Sequence, residues 1–353
     1  MADEIDYAPE DRPLRRGWTT GACATAAAKS ALGALLGRGF DDPVTIRLPG
    51  GQTPSFALSH EMLGDGFAEA GVVKDAGDDP DVTHGALIVT RIAAGAAGTG
   101  VTFQAGQGVG MVTRPGLPIP PGEPAINPVP RKMIGEAIEE LAPGGDYVVT
   151  ISVRDGERLA EKTWNPRLGI VGGLSILGTT GIVIPYSCAA WIASIQRGVD
   201  VARAAGLEHV VGATGDASEK AARTRLGLSD QAYLDMGDFV GGLCKYLKQH
   251  PVQRLTISGG FAKMSKLAQG AMDLHSARGT VDLAVLRALL PEPSRGHTDQ
   301  AQTANEMLAV GGKPLADAVA RMARDVAQRI TGDGVRVDVL VVDRSGAIVG
   351  ESG

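Results

Sequence analysis

The sequence predicts an α/β and α+β protein of two domains. An N-terminal α+β domain rich in strands is followed by a C-terminal α/β domain with a largely parallel sheet. Three observations lead to this reading. The chain has 353 residues, more than a single hydrophobic core usually organises. Before Asn165, short β-prone runs dominate and helical patterns are few. After it, helical runs alternate with short apolar strands that end in glycine-containing turns, the pattern of a doubly wound sheet.

In chain order, residues 1–17 mix charge and proline without periodicity and are expected to be a flexible lead-in. The α+β domain is placed at 18–164. It opens on Thr19-Thr20-Gly21, where either threonine can cap the Ala-rich helix that follows. Small residues at Ala22, Ala24, Ala26 and Ala27 let that helix lie close against a sheet. Strand candidates follow in VTIRL, PSFAL, FAEAGVV, ALIVTRI, VTFQA and VGMVT. A Pro-rich connection leads into a helix near 132–141, and YVVTISV and LAEKTW are expected to be two more strands.

The second domain is placed at 165–353 and opens on the Gly-rich, apolar RLGIVGGLSILGTTGIVIPYS. A helix at 189–205 precedes the strand HVVGA, which ends in Thr214-Gly215-Asp216. Helices from Ser218 and at 239–249 lead to the strand RLTIS and the pair Gly259-Gly260. Further helices are expected from Lys263 and at 281–290, 302–309 and 315–330, then the strands VRVDVLVVD and AIVG.

Composition narrows the class of function. Hydrophobic residues make up 44% and charged residues 21%, as in a globular protein with a substantial core. No apolar run is long enough to span a bilayer, and the start has no apolar signal core, so a cytoplasmic location without membrane association is expected. The net charge of −6 argues against nucleic-acid binding, which needs a basic face. The three cysteines follow no CxxC spacing and the six histidines no HxxxH spacing, so no metal site is expected.

The most informative stretch is VKDAGDDPDVTHG, from Val73 to Gly85. Asp75, Asp78, Asp79 and Asp81 crowd beside Lys74 in a loop between two strand candidates, with Gly77 and Pro80 restricting the turn. Packed like charges need compensation from a cation, from backbone N–H groups or from a ligand, unless the loop is merely solvated.

Several long, ordered stretches carry a family resemblance: RRGWTTGACATAAAKSAL, VVKDAGDDPDVTHG, GVGMVTRPGLPIPPGEPAINPVPRKMI, NPRLGIVGGLSILGTTGIVIPYS, LTISGGFAKMSKLAQG and MDLHS. With them the chain resembles the CbiD family, the cobalt-precorrin-5B C1-methyltransferases of corrin ring biosynthesis. The resemblance implies methyl transfer from S-adenosylmethionine to ring carbon 1 of a cobalt-containing tetrapyrrole. It also implies a Rossmann-like second domain. The partner expected is that tetrapyrrole, and association into a homo-oligomer is left open.

Methyl transfer from a sulfonium is an in-line displacement that needs alignment and exclusion of water, not a nucleophilic side chain. In an alternating α/β domain the donor is expected at the strand-to-helix turns. The donor-binding candidates are therefore Thr214, Gly215, Asp216, Ser218, Asp238, Ser258, Gly259 and Gly260. Ser218 and Asp216 have an equally good reading as local helix and turn caps. The acceptor carries many carboxylates, so its candidates are cationic or hydrogen-bonding: Arg16, Thr19, Thr20, Lys74, Arg114, Asn127, Arg131, Asn165 and Arg167. Asp78, Asp79 and His275 are the candidates for proton transfer. Two other readings stay open, a nucleotide-binding α/β oxidoreductase and a non-catalytic tetrapyrrole carrier. The GxGxxG fingerprint that would favour the first is missing.

Overall fold

The computed structural model describes residues 13–353, so most of the lead-in expected at 1–17 lies outside the described residues. The chain divides into two compact units, the first ending at Ser187 and the second running Cys188–Gly353.

In chain order the first unit holds β1 (Gly17–Trp18), α1 (Thr20–Leu35), β2 (Val44–Thr45), β3 (Ser55–Phe56), β4 (His60–Gly64), β5 (Phe67–Val73), β6 (Leu87–Ala94) and β7 (Val101–Ala105). It continues with β8 (Met111–Val112), α2 (Pro128–Leu141), β9 (Tyr147–Val153), α3 (Gly156–Ala160), β10 (Ile170–Val171) and β11 (Ile182–Val183). The main sheet has the order β4-β5-β6-β9-β7, antiparallel except where β7 runs parallel to β9. Alternate residues Ile88, Thr90 and Ile92 of β6 and Val149, Ile151 and Val153 of β9 are buried, the period of a strand with one covered face. Helix α1 provides the cover and packs on β5, β6 and α2. Its alanines keep it thin, and Thr90 Oγ1 on the sheet reaches the helix carbonyl of Ala24 at 3.0 Å.

Two expectations need correction here. Residues 165–187, expected to open the second domain, pair with the first unit instead: β10 with β8, and β11 with β1. The segment LAEKTW forms no strand; it lies in α3 and the turns after it, in keeping with the helix propensity of Leu, Ala, Glu and Lys.

The second unit holds α4 (Cys188–Ala204), β12 (His209–Ala213), α5 (Asp216–Leu226), β13 (Tyr233–Asp235), α6 (Val240–Gln249), β14 (Arg254–Gly260) and α7 (Phe261–Ala268). Then come α8 (Leu283–Ala288), α9 (Glu292–Arg295), α10 (Ala304–Thr331), β15 (Arg336–Val342) and β16 (Ile348–Glu351). The strand order is β13-β12-β14-β15-β16, with the first four parallel and β16 antiparallel at the edge. Side chains of α4, α6, α7 and α10 share one apolar cluster with the sheet, and Ala222 of α5 belongs to another with Val211, Tyr233 and Leu340. Helix α10 is interrupted at Gly312 (φ 52°, ψ −150°), two residues before Pro314, so its two stretches match the pair of helices expected there. Among the described residues no helix is long and apolar enough to cross a membrane.

Candidate functional site

The acidic loop joins the neighbouring strands β5 and β6, and its base is closed by backbone pairing. Lys74 N–H donates to Ala86 O at 2.9 Å and Gly85 N–H to Lys74 O at 2.8 Å. The Lys74 side chain turns inward, only 1% exposed, and its Nζ donates to Asp81 Oδ2 at 2.6 Å. The other oxygen of Asp81 accepts from Thr83 N–H and Oγ1 at 2.8 and 2.6 Å. Asp75 accepts from Gly77 N–H at 2.9 Å and from the Arg15 guanidinium. Asp78 accepts from the Arg15 backbone N–H at 2.7 Å, and Asp79 from Tyr186 N–H at 2.9 Å. Each of the four carboxylates has its own donor, which is how the loop tolerates their crowding.

These partners set the carboxylates apart electrically. Hydrogen bonds from Arg15 and Gly77 hold Asp75 down, to about 2. Burial pushes the Asp81 carboxyl up, but the Lys74 ammonium and the Thr83 donors outweigh it, leaving a net lowering. Asp79 goes the other way: burial, with the Asp81 charge adding, raises it against the Tyr186 donor and Lys74. His84 Nδ1 lies 3.8 Å from Asp75 Oδ1, yet the same nitrogen accepts from Ala76 N–H at 3.1 Å. Its lone pair is thus committed to the backbone, and no ion pair forms through that nitrogen.

The loop is wedged against the entry to α1. A Cβ on Gly17 would lie 2.1 Å from Ala76 C, and one on Gly77, at φ +70°, 2.1 Å from Arg15 O. Trp18 N–H donates to Asp75 O at 2.7 Å. Thr19 then caps α1, its side chain accepting from Ala22 N–H at 3.2 Å. The Gly-rich segment crosses this helix start: Gly21 N–H donates to Leu177 O, Leu177 N–H to Thr20 Oγ1, and Thr19 N–H to Gly181 O, each at 3.0 Å. Thr19, Thr20 and the four aspartates therefore meet in one region of the first unit, where Leu177, Ile184 and Val82 are exposed.

The remaining acceptor candidates divide. Arg16 is exposed at the edge of this region. Lys74 is sealed beneath the loop and acts on it from inside, not on a ligand above it. The Arg131 guanidinium donates to Ile126 O, Pro124 O and Glu123, bracing the loop before α2. Asn165 is buried, with Nδ2 donating to Gly173 O at 3.2 Å. Asn127 precedes α2 as its N-cap without a side-chain capping bond. Arg114 lies along Gly169, whose absent side chain makes room for it, and Arg167 is half-buried two residues earlier.

In the second unit, strands β13 and β14 lie on opposite sides of β12, so the chain direction across the sheet switches between β12 and β14. Ligands of open α/β sheets collect at the carboxyl ends beside such a switch. The turns after β12 and β14 meet there: Thr214 N–H donates to Ser258 O at 3.0 Å. Ser218 Oγ donates to Gly215 O at 2.7 Å, and Ser258 Oγ to Ser218 O at 2.8 Å, so both hydroxyls brace the turns. Asp216 is exposed in the first turn of α5. Gly259 is a packing glycine, since a Cβ would fall 2.5 Å from Met264 Cε. Gly260 is different, because a Cβ there meets nothing within 4 Å. Lys263 Nζ donates to Thr214 O at 3.1 Å and stands 3.0 Å from Asp238 Oδ1. That carboxylate oxygen is buried and has a charge partner, but no hydrogen bond of acceptable geometry. His275 caps a short turn in this unit, with Nδ1 accepting from Ala277 N–H at 3.2 Å.

The CbiD family model matches residues 7–185. A protein of Paramagnetospirillum magneticum named cobalt-precorrin-5B C(1)-methyltransferase is 58% identical, with the match covering 97% of this chain and 99% of the relative. One of the same name from Rhodospirillum rubrum is 57% identical over 99% of this chain and all of its own length, 100%. The chain belongs to the CbiD family. A crystal structure of the cobalamin biosynthesis protein CbiD from Archaeoglobus fulgidus overlaps with a TM-score of 0.41 at 28% identity, over 71% of this chain and 79% of that one.

Two site-forming residues of this CbiD chain escape sequence reasoning. Arg15 falls in the stretch expected to be a lead-in, yet it clasps Asp75 and Asp78, which lie about sixty positions further along the chain and meet it only in space. Lys263 sits in the family stretch LTISGGFAKMSKLAQG, but nothing in its spacing announces that it bridges the ends of β12 and β13. Among the described residues no group of His, Cys, Asp or Glu is arranged to hold a metal ion.

Proposed function

We propose that this chain is the S-adenosylmethionine-dependent methyltransferase that methylates carbon 1 of cobalt-precorrin-5B in cobalamin biosynthesis, acting in the cytoplasm. The observation that carries the reading is the near-complete overlap with relatives bearing that enzyme name at 57–58% identity.

The second unit, read as a Rossmann-like donor domain, suits the methyl donor. Gly260 opens room beside the β14 turn, and the Asp238 carboxylate, paired with Lys263 at 3.0 Å, keeps acceptor capacity for a hydroxyl or amino group. When bound, S-adenosylmethionine supplies a methyl group already activated by the sulfonium charge. The chain must hold that group in line with the ring carbon and keep water away. Thr214, Gly215 and Asp216 are assigned to donor contact at the turn after β12, with Ser218, Ser258 and Gly259 fixing the turns.

The first unit is assigned to the tetrapyrrole. Exposed Leu177, Ile184 and Val82 present apolar surface to a flat macrocycle, while Arg16, Arg114 and Arg167 meet its carboxylate arms. Thr19 and Thr20 shape the helix start below. Asp79 is the favoured proton acceptor, because its raised affinity for a proton suits that task better than the firmly ionised Asp75 or Asp81. Asp78 and His275 take supporting roles.

The test is direct. Enzyme, substrate and isotope-labelled S-adenosylmethionine are incubated, and the label is located by NMR. Label on carbon 1 is expected; label on another ring carbon, or none, overturns the assignment.

A further inference from the structure

We infer that Trp191 is the stacking residue for the adenine of the donor, an inference that rests on the donor reading above. Trp191 lies in the first turn of α4, and the residue is 38% exposed. Single exposed aromatics are ordinary, but this one is held in place at the carboxyl edge of the parallel sheet. Its Nε1–H donates to Asp235 O, the last residue of β13, at 3.2 Å. Its ring lies over Gly237, where ring atoms would stand 3.4 Å from a Cβ, and it is tilted against Phe239 with centroids 6.4 Å apart. Gly237 adopts φ +55°, a conformation that brings backbone rather than side chain up to the ring.

Between Gly237 and Phe239 stands Asp238, whose buried Oδ1 faces the Lys263 ammonium at 3.0 Å. The same loop is tied to the neighbouring strand, since Met236 and Gly237 N–H groups both donate to Ala213 O at 2.9 and 3.1 Å. Lys263 links Asp238 onward to Thr214. A set of contacts thus runs from an oriented aromatic plane, through a carboxylate acceptor and its lysine, to the glycine turn after β12, with the open position at Gly260 in the turn after the neighbouring strand. A nucleoside offers matching features: a flat π-system, then hydroxyls that donate to a carboxylate, then a polar chain. The indole supplies sequence-independent stacking to the base, and its fixed N–H means that little side-chain freedom is lost on binding.

The experiment uses calorimetry on the full chain with S-adenosylhomocysteine, adenosine and homocysteine as separate probes. Trp191→Leu is expected to weaken S-adenosylhomocysteine and adenosine by about ten-fold or more and to leave homocysteine unchanged. Trp191→Phe, which keeps an aromatic plane, is expected to lose less. S-adenosylhomocysteine is expected to quench tryptophan emission in the parent protein and not in Trp191→Phe. Undiminished affinity in a folded Trp191→Leu, or an undiminished quench in Trp191→Phe, overturns the stacking role alone. A parent protein that binds no S-adenosylhomocysteine overturns the donor reading and this inference with it.

Discussion

Lys74 and Asp81 form the ion pair on which the acidic loop rests, with Nζ 2.6 Å from Oδ2 and the lysine side chain 1% exposed. Replacing Asp81 by Asn leaves a buried ammonium without its counter-charge. The expected loss of stability is about 3 kcal/mol, the low end for breaking such a pair because Asp81 keeps some contact with water. The double variant Lys74→Met/Asp81→Asn should recover much of it. Denaturant melts of the two variants decide the matter, and an Asp81→Asn protein as stable as its parent would show that the pair does not support the loop.

Asp79 should behave in the opposite sense. Its folded-state affinity for a proton is raised, chiefly by burial, so the stability it contributes is present below the ordinary carboxylate range and is lost as pH rises through the raised value. Ionised Asp79 therefore opposes folding at neutral pH. Asp79→Asn keeps an oxygen for Tyr186 N–H and removes the charge, so melts at pH 7 should show no loss of stability. Single-turnover methyl transfer should nevertheless slow by about 10²- to 10⁴-fold if Asp79 accepts the proton. A normal rate would return the proton-transfer role to Asp78 or His275.

Asp75 has the sign opposite to Asp79. Arg15 and Gly77 depress it to about 2, so its contribution is complete above the unfolded value of about 3.9 and disappears as pH falls toward 2. Both partners are substantially exposed, so water screens the pair and the effect is small. Arg15→Ala should lower stability slightly at pH 7, where the contribution is complete, the difference shrinking as pH falls toward 2, and should raise the midpoint of acid unfolding a little. Equal acid midpoints in the two proteins would remove Arg15 from the account.

The two adjacent glycines after β14 should respond differently to the same substitution. Gly260 has φ −62° and open space at its Cβ position, so Gly260→Val should fold normally. On the proposed donor placement, binding of S-adenosylhomocysteine should fall by at least about ten-fold, or ~1.4 kcal/mol, because the new side chain fills the space assigned to the donor. Gly259→Val drives its side chain into Met264 and Thr214 and should lower the melting temperature instead. Unchanged binding by Gly260→Val would move the donor away from this turn.

Much of the second unit was readable because its strands are apolar runs punctuated by Gly turns: HVVGA and RLTIS appear as β12 and β14 where the pattern puts them. The loop between β5 and β6 was readable for the same reason, being polar between two strands. What escaped was information that exists only after folding. His60–Gly64 is a short, largely exposed edge strand, and its polar sequence carries no alternation to detect. Residues 165–187 look like the start of an α/β domain because glycine and aliphatics alternate there, but their hydrogen bonds go to β1, β8 and the start of α1. Arg131 and Asn165 carry side chains suited to a ligand, yet nearby carbonyls use them first. Residue type announces a capacity to bond, and only the fold decides which partner claims it.

The contact between Thr90 and the Ala24 carbonyl gives α1 a fixed standoff from the sheet. A helix seated on side chains can ride up or down as those side chains repack; one whose own backbone touches the strand has no such compliance. The sheet therefore serves as a gauge for the height of the helix start, and through Thr19 and Thr20 for everything bonded to it. Enlarging Ala24 or Ala27, both fully buried, by a single methylene should therefore be felt at the helix start and in the segments bonded to it.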